Sequence, residues 1–166
     1  MESGTLRVGV VSDTHGLLRA QVLERLEGVH HILHAGDVGG PHILDELEAL
    51  APVSAVWGNT DGFEVRARVR EEARLELAGR RLVVLHGHQL GSPAPAGLRA
   101  RYPDADLVVY GHTHQPLVDR EGTPVTLNPG SVGRARFDLP VSLAVVTLTR
   151  HAEMEIELIR LDVAAR

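Results

Sequence analysis

Residues 8–16 read Val-Gly-Val-Val-Ser-Asp-Thr-His-Gly, an apolar run that ends in a carboxylate and an imidazole one residue apart. The density of valine is typical of a strand that is buried on both faces, and Gly16 allows the chain to turn after the polar pair. In open α/β sheets, ligands bind just beyond the carboxyl ends of such strands. Asp13 and His15 can therefore point at one centre, and this pair of oxygen and nitrogen donors suits a metal ion. Alone the pair is a weak signal, because an Asp-x-His in a loop is more often a solvated turn.

The same pattern, an apolar strand that ends in a possible metal ligand, recurs four more times along the chain. The strand segments and the residues after them are 32–36 before Asp37, 53–58 before Asn59, 82–85 before His86, and 107–111 before His112 and His114. Packing gives no reason for five strands to end in Asp, Asn or His. The sequence therefore predicts one site that is assembled at the ends of five strands.

Size and composition are those of an ordinary globular protein. With 166 residues, of which 43% are hydrophobic and 23% charged, the chain is expected to form a single domain over residues 1–166. The net charge of −5 gives no support for binding to nucleic acid or to an anionic membrane. The absence of cysteine excludes disulfides, thiolate metal ligands and a cysteine nucleophile.

The first residues and the lengths of the apolar runs indicate where in the cell the protein is expected. Residues 1–5 enter the first strand without the pattern of a secretory signal, and no apolar run has the length of a bilayer span. A cytoplasmic location and no membrane partner are therefore expected. The oligomeric state stays open, with a homo-oligomer among the alternatives.

Strands and helices alternate over the first third of the chain. Leu18, Val22 and Leu26 are four residues apart, which predicts an amphipathic helix over residues 17–26. A second helix opens at Pro41, where a proline costs no hydrogen bond, and its apolar face is formed by Ile43, Leu44, Leu47 and Leu50. Short links between alternating strands and helices predict parallel strands with right-handed crossovers.

Later in the chain the pattern changes to hairpins. Residues 74–85 predict a hairpin that turns at Gly79, and residues 117–127 predict a second one. A short helix is expected to end near Tyr102, and residues 63–69 give no clear pattern. The run 141–148 is apolar on both faces and predicts a central strand, whereas Met154, Ile156 and Leu158 alternate with glutamates and predict a last strand with one wet face.

Taken in order, the motifs resemble those of the calcineurin-like metallophosphoesterases. They are Asp13-x-His15, Gly36-Asp37, Gly58-Asn59, His86-Gly87-His88 and Gly111-His112-x-His114. The resemblance covers nearly the whole chain. Residues 58–61 (Gly-Asn-Thr-Asp) and 128–131 (Asn-Pro-Gly-Ser) are similar to those of the small YfcE-like phosphodiesterases. The resemblance implies an α/β fold of four layers, α-β-β-α, with two packed mixed sheets and a metal site at the carboxyl ends of the strands.

The resemblance also implies two divalent transition-metal ions that are bridged by Asp37. It assigns Asp13, His15 and His114 to one ion, and Asn59, His86 and His112 to the other. It gives direct roles in catalysis to Asp13, Asp37, Asn59, His86 and His112. Manganese is the expected metal, and Fe, Co, Ni and Zn are alternatives because nitrogen and oxygen ligands suit all of them.

The implied reaction is hydrolysis of phosphodiester or phosphomonoester bonds in small phosphate-ester substrates by a metal-activated water. The alternative is a protein-interaction scaffold, weakly catalytic or inactive, similar to the retromer subunit of eukaryotes, which resembles the same family. The complete ligand set, including Asn59, favours catalysis.

Thr60 departs from the family's pattern. Many members have a histidine directly after the asparagine ligand, where it is thought to protonate the leaving group, and a threonine hydroxyl is too weakly acidic for that task. Asp61 and His88 are the remaining candidates for this proton. His88 is also an alternative to His86 as the ligand, although His86 is preferred because it directly follows the strand.

The other histidines have simpler expectations. His34 stands close to Asp37 in the sequence and could either orient a ligand or serve the framework alone. Surface or structural roles are expected for His30, His31, His42 and His151.

Overall fold

The computed structural model describes residues 4–136 and 138–163, and within these ranges it contains ten strands, four α-helices and one short 3-10 helix. The strands are β1 Leu6–Val11, β2 His31–His34, β3 Val53–Ala55, β4 Glu72–Leu77, β5 Arg80–Leu85, β6 Leu107–Val109, β7 Leu117–Asp119, β8 Val125–Asn128, β9 Val141–Leu148 and β10 Glu155–Leu161. The helices are α1 Ala20–Leu26, α2 Pro41–Glu48, α3 Phe63–Arg66 and α4 Pro95–Arg101, with the 3-10 helix at His88–Leu90. No helix in the described part of the chain is both long and apolar enough to cross a bilayer.

The strands form two five-stranded mixed sheets. Sheet 1 has the order β10-β9-β1-β2-β3, and sheet 2 has the order β4-β5-β6-β8-β7. Strands β1, β2 and β3 run parallel, as predicted from their short helical crossovers. In sheet 2, strands β5, β6 and β8 are parallel, and the hairpin partners β4 and β7 run antiparallel to β5 and β8.

Successive side chains of a strand point to opposite faces of its sheet, and they thereby form three apolar cores. Val8 and Val10 of β1 point into the core between the two sheets, while Val11 points at the core beneath α1 and α2. In β5, Leu82 faces the core between the sheets and Val83 faces the core beneath α4. Because each sheet buries both faces, its strands are apolar on both sides. The predicted order of four layers, α-β-β-α, is confirmed.

The last two strands agree with their patterns, with one refinement. Strand β9 is buried nearly throughout, with Val146 facing sheet 2 and Val145 facing the helices. In β10, Glu155 and Glu157 are exposed, as predicted for a wet face. Farther along the same face, Ile159 packs against the core beneath the helices, so the wet face does not extend over the whole strand.

Two predictions about helices need correction, and one helix was not predicted. Helix α1 begins at Ala20 and not at residue 17, because a turn closed by the Leu17 N–H on the Thr14 carbonyl, 2.9 Å apart, occupies the preceding residues. Helix α2 ends at Glu48, which leaves Leu50 outside it and 39% exposed. The segment 63–69 contains the one-turn helix α3, which is too short to show a period.

Candidate metal centre

Every predicted ligand lies just after a strand. Asp13 and His15 follow β1, Asp37 follows β2, Asn59 follows β3, His86 follows β5, and His112 and His114 follow β6. Strands β1 to β3 belong to sheet 1, and strands β5 and β6 belong to sheet 2. The site therefore lies where the carboxyl ends of strands from both sheets meet.

Asp13 and Asp37 lie at the middle of the cluster. Asp13 Oδ1 lies 3.2 Å from His114 Nε2 and 3.6 Å from His15 Nε2. Asp37 Oδ2 lies 3.1 Å from His86 Nε2, on the side of sheet 2, and 3.7 Å from His15 Nε2. Asp13 Oδ1 is also 3.9 Å from His86 Nε2.

These contacts define two overlapping groups of possible metal ligands. One contains Asp13, His15 and His114, and the other contains Asp13, Asp37 and His86; within each group the ligand atoms lie within 4.8 Å of one another. Asp13 Oδ1, His15 Nε2 and His86 Nε2 are buried and have no hydrogen-bonding partner among the described residues. Buried polar atoms almost always have a partner. Divalent cations between these atoms would supply one, so the residues present fit a metal centre.

The second oxygen or nitrogen of each ligand is held by the framework. Asp13 Oδ2 accepts hydrogen bonds from Ser12 Oγ at 2.6 Å and from the His112 N–H at 3.2 Å. Asp37 Oδ1 accepts one from the Thr60 N–H at 3.0 Å. His86 Nδ1 lies 2.8 Å from the Ala35 carbonyl, to which it can only donate, and this leaves the Nε2 lone pair free for a cation.

The electrostatics of the site favour a bound cation. Burial alone would raise the pKa of Asp13, but the nearby His114, His15 and His86 and the hydrogen bond from Ser12 lower it well below its usual range. The pKa of Asp37 is lowered to about 2, because its contact with His86 and the Thr60 N–H outweigh burial. Two ionised carboxylates are thus buried together. Burial would lower the pKa of His86, but these two carboxylates raise it, so the site favours positive charge.

Asn59 and His112 lie at the margin of the two groups. The His112 ring is half-buried and meets the His86 ring edge-on, with 5.1 Å between the centroids. Asn59 is exposed and follows Gly58, where a Cβ atom would lie 2.2 Å from Asp37 Oδ1. The structure therefore gathers Asp13, His15, Asp37, His86 and His114, and it places the other two predicted ligands beside them.

The ligand residues share an unusual backbone conformation. Six non-glycine residues in the described ranges have positive φ, and five of them are Asp13, His15, Asp37, His112 and His114, with φ between 46° and 73°. This region is uncommon for side chains other than glycine and asparagine, and such strain concentrates at functional sites. Sequence patterns of apolar residues carry no signal for it.

Asp61 supports the backbone of the site, whereas its sequence position suggested only a candidate donor of the leaving-group proton. Its carboxylate is buried and accepts three backbone N–H groups, those of Val38 at 3.1 Å, Gly39 at 2.9 Å and Gly58 at 2.8 Å. It therefore ties the loop after β2 to the loop after β3. Its place three residues after Gly58, within a Gly-Asn-Thr-Asp segment, was the available signal.

His34 joins two ligand loops from beneath. Thr14 Oγ1 donates to the Val38 carbonyl at 2.6 Å, so it accepts from His34 Nε2 at 3.0 Å, while His34 Nδ1 accepts from the Gly36 N–H at 3.1 Å. Complete burial lowers the pKa of His34 to about 4. A neutral His34 thus joins the segments that carry Asp13 and Asp37, through Thr14 and the Gly36 backbone.

The Asn-Pro-Gly-Ser segment at residues 128–131 also supports the site. Ser131 Oγ donates to the Asp13 carbonyl at 2.9 Å, and Asn128 Nδ2 donates to the Gly111 carbonyl at 3.2 Å. The segment therefore holds the backbone just before His112 and at Asp13. In the sequence this segment is similar to that of the YfcE-like phosphodiesterases, and that similarity does not reveal these contacts.

The remaining histidines separate into two kinds. His88 lies beside the cluster, with its ring centroid 5.4 Å from that of His86 and its Nδ1 buried without a hydrogen-bonding partner among the described residues. Burial, and then the nearby His86, lower the pKa of His88. His30 and His31 bond to the framework through the Arg7 N–H and Ser54 Oγ, and His42 and His151 are exposed, as expected.

Comparison with known proteins gives a consistent result. Residues 6–151 match the family described as the calcineurin-like phosphoesterase superfamily domain. The chain is 38% identical to a probable metallophosphoesterase of Methanothermobacter thermautotrophicus, over 92% of this chain and 91% of that protein. It is 30% identical to the phosphodiesterase YfcE of Escherichia coli, over 79% of this chain and 61% of that protein. Vacuolar protein sorting 29 of Cryptosporidium parvum has a similar fold, with a TM-score of 0.78, 20% identity and coverage of 95% of this chain and 98% of that one.

Proposed function

Because the chain belongs to the calcineurin-like phosphoesterase superfamily, whose members are hydrolases that use divalent metal ions, we propose that it is a binuclear enzyme. It would hydrolyse phosphodiester, and also phosphomonoester, bonds of small substrates in the cytoplasm. One observation carries this proposal: buried ligand atoms without partners converge in two overlapping groups that include Asp13 and Asp37.

The geometry supports a specific division of ligands. Asp13, His15 and His114 would hold one ion, and His86, with Asn59 and His112 beside it, would hold the other. Asp37 would bridge them, because its Oδ2 faces both His15 and His86 while its Oδ1 is taken by the Thr60 N–H. Manganese is the proposed metal, with Fe, Co, Ni or Zn as substitutes, since these nitrogen and oxygen donors suit them all.

The residues of the site would have separate roles beside those of the bound ions. Bound ions would supply Lewis acidity and an acidified water at neutral pH. Asp13 and Asp37 would hold negative charge at fixed positions, because framework donors orient each carboxylate. The neutral His86 would keep its Nδ1 proton on the Ala35 carbonyl. Asp61 accepts three backbone N–H groups, which leaves His88, with its ring centroid 5.4 Å from that of His86, as the remaining candidate for the leaving-group proton.

The scaffold alternative draws no support beyond the fold. The likeness to vacuolar protein sorting 29 is at 20% identity and therefore speaks for the architecture alone. A chain that acted only as a scaffold would have no need, at its strand ends, of a buried carboxylate oxygen without a hydrogen-bonding partner such as Asp13 Oδ1.

The proposal is tested by metal content and turnover. Reconstituted and desalted protein should hold two transition-metal ions per chain and hydrolyse bis(4-nitrophenyl) phosphate, and a chelator should abolish this activity. Asp37→Ala should weaken the binding of both metal ions together, whereas His15→Ala should mainly empty one site. The reason is that Asp37 is the one residue assigned as a ligand of both ions. Saturation at one ion with full activity would refute the binuclear model, and a site of unchanged affinity in Asp37→Ala would refute the bridge.

A further inference from the structure

Phe63 is an exposed aromatic residue four positions after the predicted ligand Asn59. Its exposed fraction is 85%, about twice that of Leu50 and Leu117, the other exposed large hydrophobic residues in the described ranges. It is the first residue of α3 and lies three residues after Thr60. A single exposed apolar side chain is ordinary on a protein surface, so its surroundings decide whether it has a role.

A cavity of about 400 Å³ lies beside Phe63. Its lining includes Gly39, Gly40 and Pro41 on one side and Thr60, Gly62 and Phe63 on the other. The two glycines allow close packing on this side, where a Cβ atom on Gly40 would lie 2.7 Å from the His42 ring. Glu64 also lines the cavity, so a second anionic group would be repelled there, and a neutral ring would fit better.

The walls of this cavity are the loops that carry the metal ligands. The Thr60 N–H donates to Asp37 Oδ1 at 3.0 Å. Gly39 packs against the backbone after β1, where a Cβ atom on Gly39 would lie 2.1 Å from the Gly16 nitrogen and 2.8 Å from the His15 Cα. The cavity therefore lies between two loops that adjoin the metal ligands Asp37 and His15.

The cavity is also preformed. Asp61 bonds to the backbone of both walls, through the Gly39 and Gly58 N–H groups. Helix α3 has only one turn but is anchored, because Val65 is buried and Arg66 Nε donates to the Asp61 carbonyl at 2.8 Å. The Arg66 guanidinium also packs over the Trp57 ring, 4.1 Å from its centroid. A preformed wall loses little conformational freedom when a ligand binds.

We propose that this cavity is a substrate subsite for a neutral aromatic ring. The substrate class is then a phosphate ester whose ester group carries an aryl ring or a nucleobase, and the ring stacks on Phe63 while the phosphate occupies the metal centre. This assignment rests on the proposed phosphoesterase function. Stacking of one ring on an aromatic side chain contributes enough to raise affinity about tenfold.

The experiment uses two ligands that cannot be hydrolysed, phenylphosphonate and methylphosphonate, and the metal-loaded protein. Calorimetry gives each dissociation constant, and Trp57, the single tryptophan of the chain and a neighbour of Arg66, gives an independent fluorescence signal. The wild-type protein should bind phenylphosphonate about tenfold more tightly than methylphosphonate. Phe63→Ala should remove this preference without changing the affinity for methylphosphonate, and Phe63→Tyr should retain it.

Leu50→Ala is the matched control, because Leu50 is also exposed but lies before β3, at the end of the sheet opposite the metal centre. Its preference should equal that of the wild type. Three results would overturn the subsite. They are an equal loss of affinity for both phosphonates in Phe63→Ala, an unchanged preference for phenylphosphonate in that variant, and no phosphonate binding by the wild type. So would a change of oligomeric state in Phe63→Ala, seen by sedimentation, with the preference intact. Failure of bis(4-nitrophenyl) phosphate turnover with the ring preference retained would count against the proposed function alone.

Discussion

At the residue scale, each buried aspartate of the site uses one oxygen for the framework and keeps the other for a cation. Ser12 Oγ is the donor that holds Asp13 in this orientation, at 2.6 Å. Ser12→Ala should therefore lower the metal affinity about 10- to 100-fold, a loss typical of donors that orient a ligand, with the fold retained. Ser54→Ala is the control, because that hydroxyl bonds to His31 instead. Titration with Mn²⁺ measures both variants, and equal affinity in the two would contradict the role of Ser12.

His34 gives the protein a pH-dependent stability. The pKa of His34 is lowered to about 4 by burial, whereas a histidine in the unfolded chain titrates near 6.5. Between these values the unfolded chain binds the additional proton, so the contribution of His34 is complete above pH 6.5 and is lost as the pH falls toward 4. The expected loss between pH 7 and pH 5 is about 2 kcal/mol of the free energy of unfolding.

His34→Gln separates this contribution from that of the metal ligands. Denaturant unfolding of chelated protein at pH 7 and pH 5 should show a smaller pH dependence in the variant than in the wild type, because glutamine does not titrate. An equal change in the free energy of unfolding between pH 7 and pH 5 in both proteins would mean that other groups cause the acid sensitivity.

Thr60 should make the reaction sensitive to the leaving group. No acid occupies that position, so aryl esters, which leave as stable anions, should be hydrolysed much faster than alkyl esters. Thr60→His should then help alkyl esters more than aryl esters. The measurement is kcat/KM over a series of esters graded by leaving-group pKa, for both proteins. If kcat/KM of the wild type did not change with the leaving-group pKa, another group, such as His88, would already supply the proton.

At the scale of elements, the loops after the strands set the ligand positions through close backbone approach. Gly58 shows this most clearly, since a Cβ atom there would lie 2.5 Å from the Asp37 nitrogen as well as 2.2 Å from its Oδ1. Gly58→Ala should displace Asp37 and weaken both metal sites at least tenfold while the chain still folds. Gly97→Ala in α4 is the control: nothing lies within 4 Å of its added Cβ, and the change should stabilise the helix by up to about 1 kcal/mol. Metal titration and thermal unfolding distinguish the two.

The sequence allowed strands to be predicted better than helix ends. Strands such as β1 and β9 have dense β-branched runs because both of their faces are buried, and this pattern is local. The start of α1 was wrong because the turn at Thr14 is stabilised by contacts with the distant Val38. Helix α3 was missed because its one turn depends on Asp61 and Trp57, which no periodicity reveals.

The ligand types were predictable, but their spatial grouping was not. Five strand ends with Asp, Asn or His identified the residues. The distances that place Asp13 Oδ1 in both groups and Asn59 at the margin arise from the packing of one sheet on the other. The bridging role of Asp37 stays a prediction, and so does the single domain over residues 1–166.

At the scale of the whole molecule, the metal centre links the two sheets. Asp13 and Asp37 come from sheet 1, and His86 and His114 come from sheet 2. Metal ions bound between them favour the state in which the sheets are packed. Mn²⁺ at a hundred times its dissociation constant should raise the free energy of unfolding by about 2.7 kcal/mol per site, and a chelator should reverse this. Differential scanning calorimetry checks it, and Asp13→Asn should lose most of the response to Mn²⁺.

The left-handed backbone at five of the ligand residues has an evolutionary consequence. A residue with a Cβ atom costs about 1 kcal/mol in that conformation, and glycine avoids the cost. Selection for a stable fold alone would therefore act against the side chains of Asp13, His15, Asp37, His112 and His114 wherever their own hydrogen bonds do not offset this cost. A lineage released from the need for a metal centre should lose these side chains early and keep its architecture.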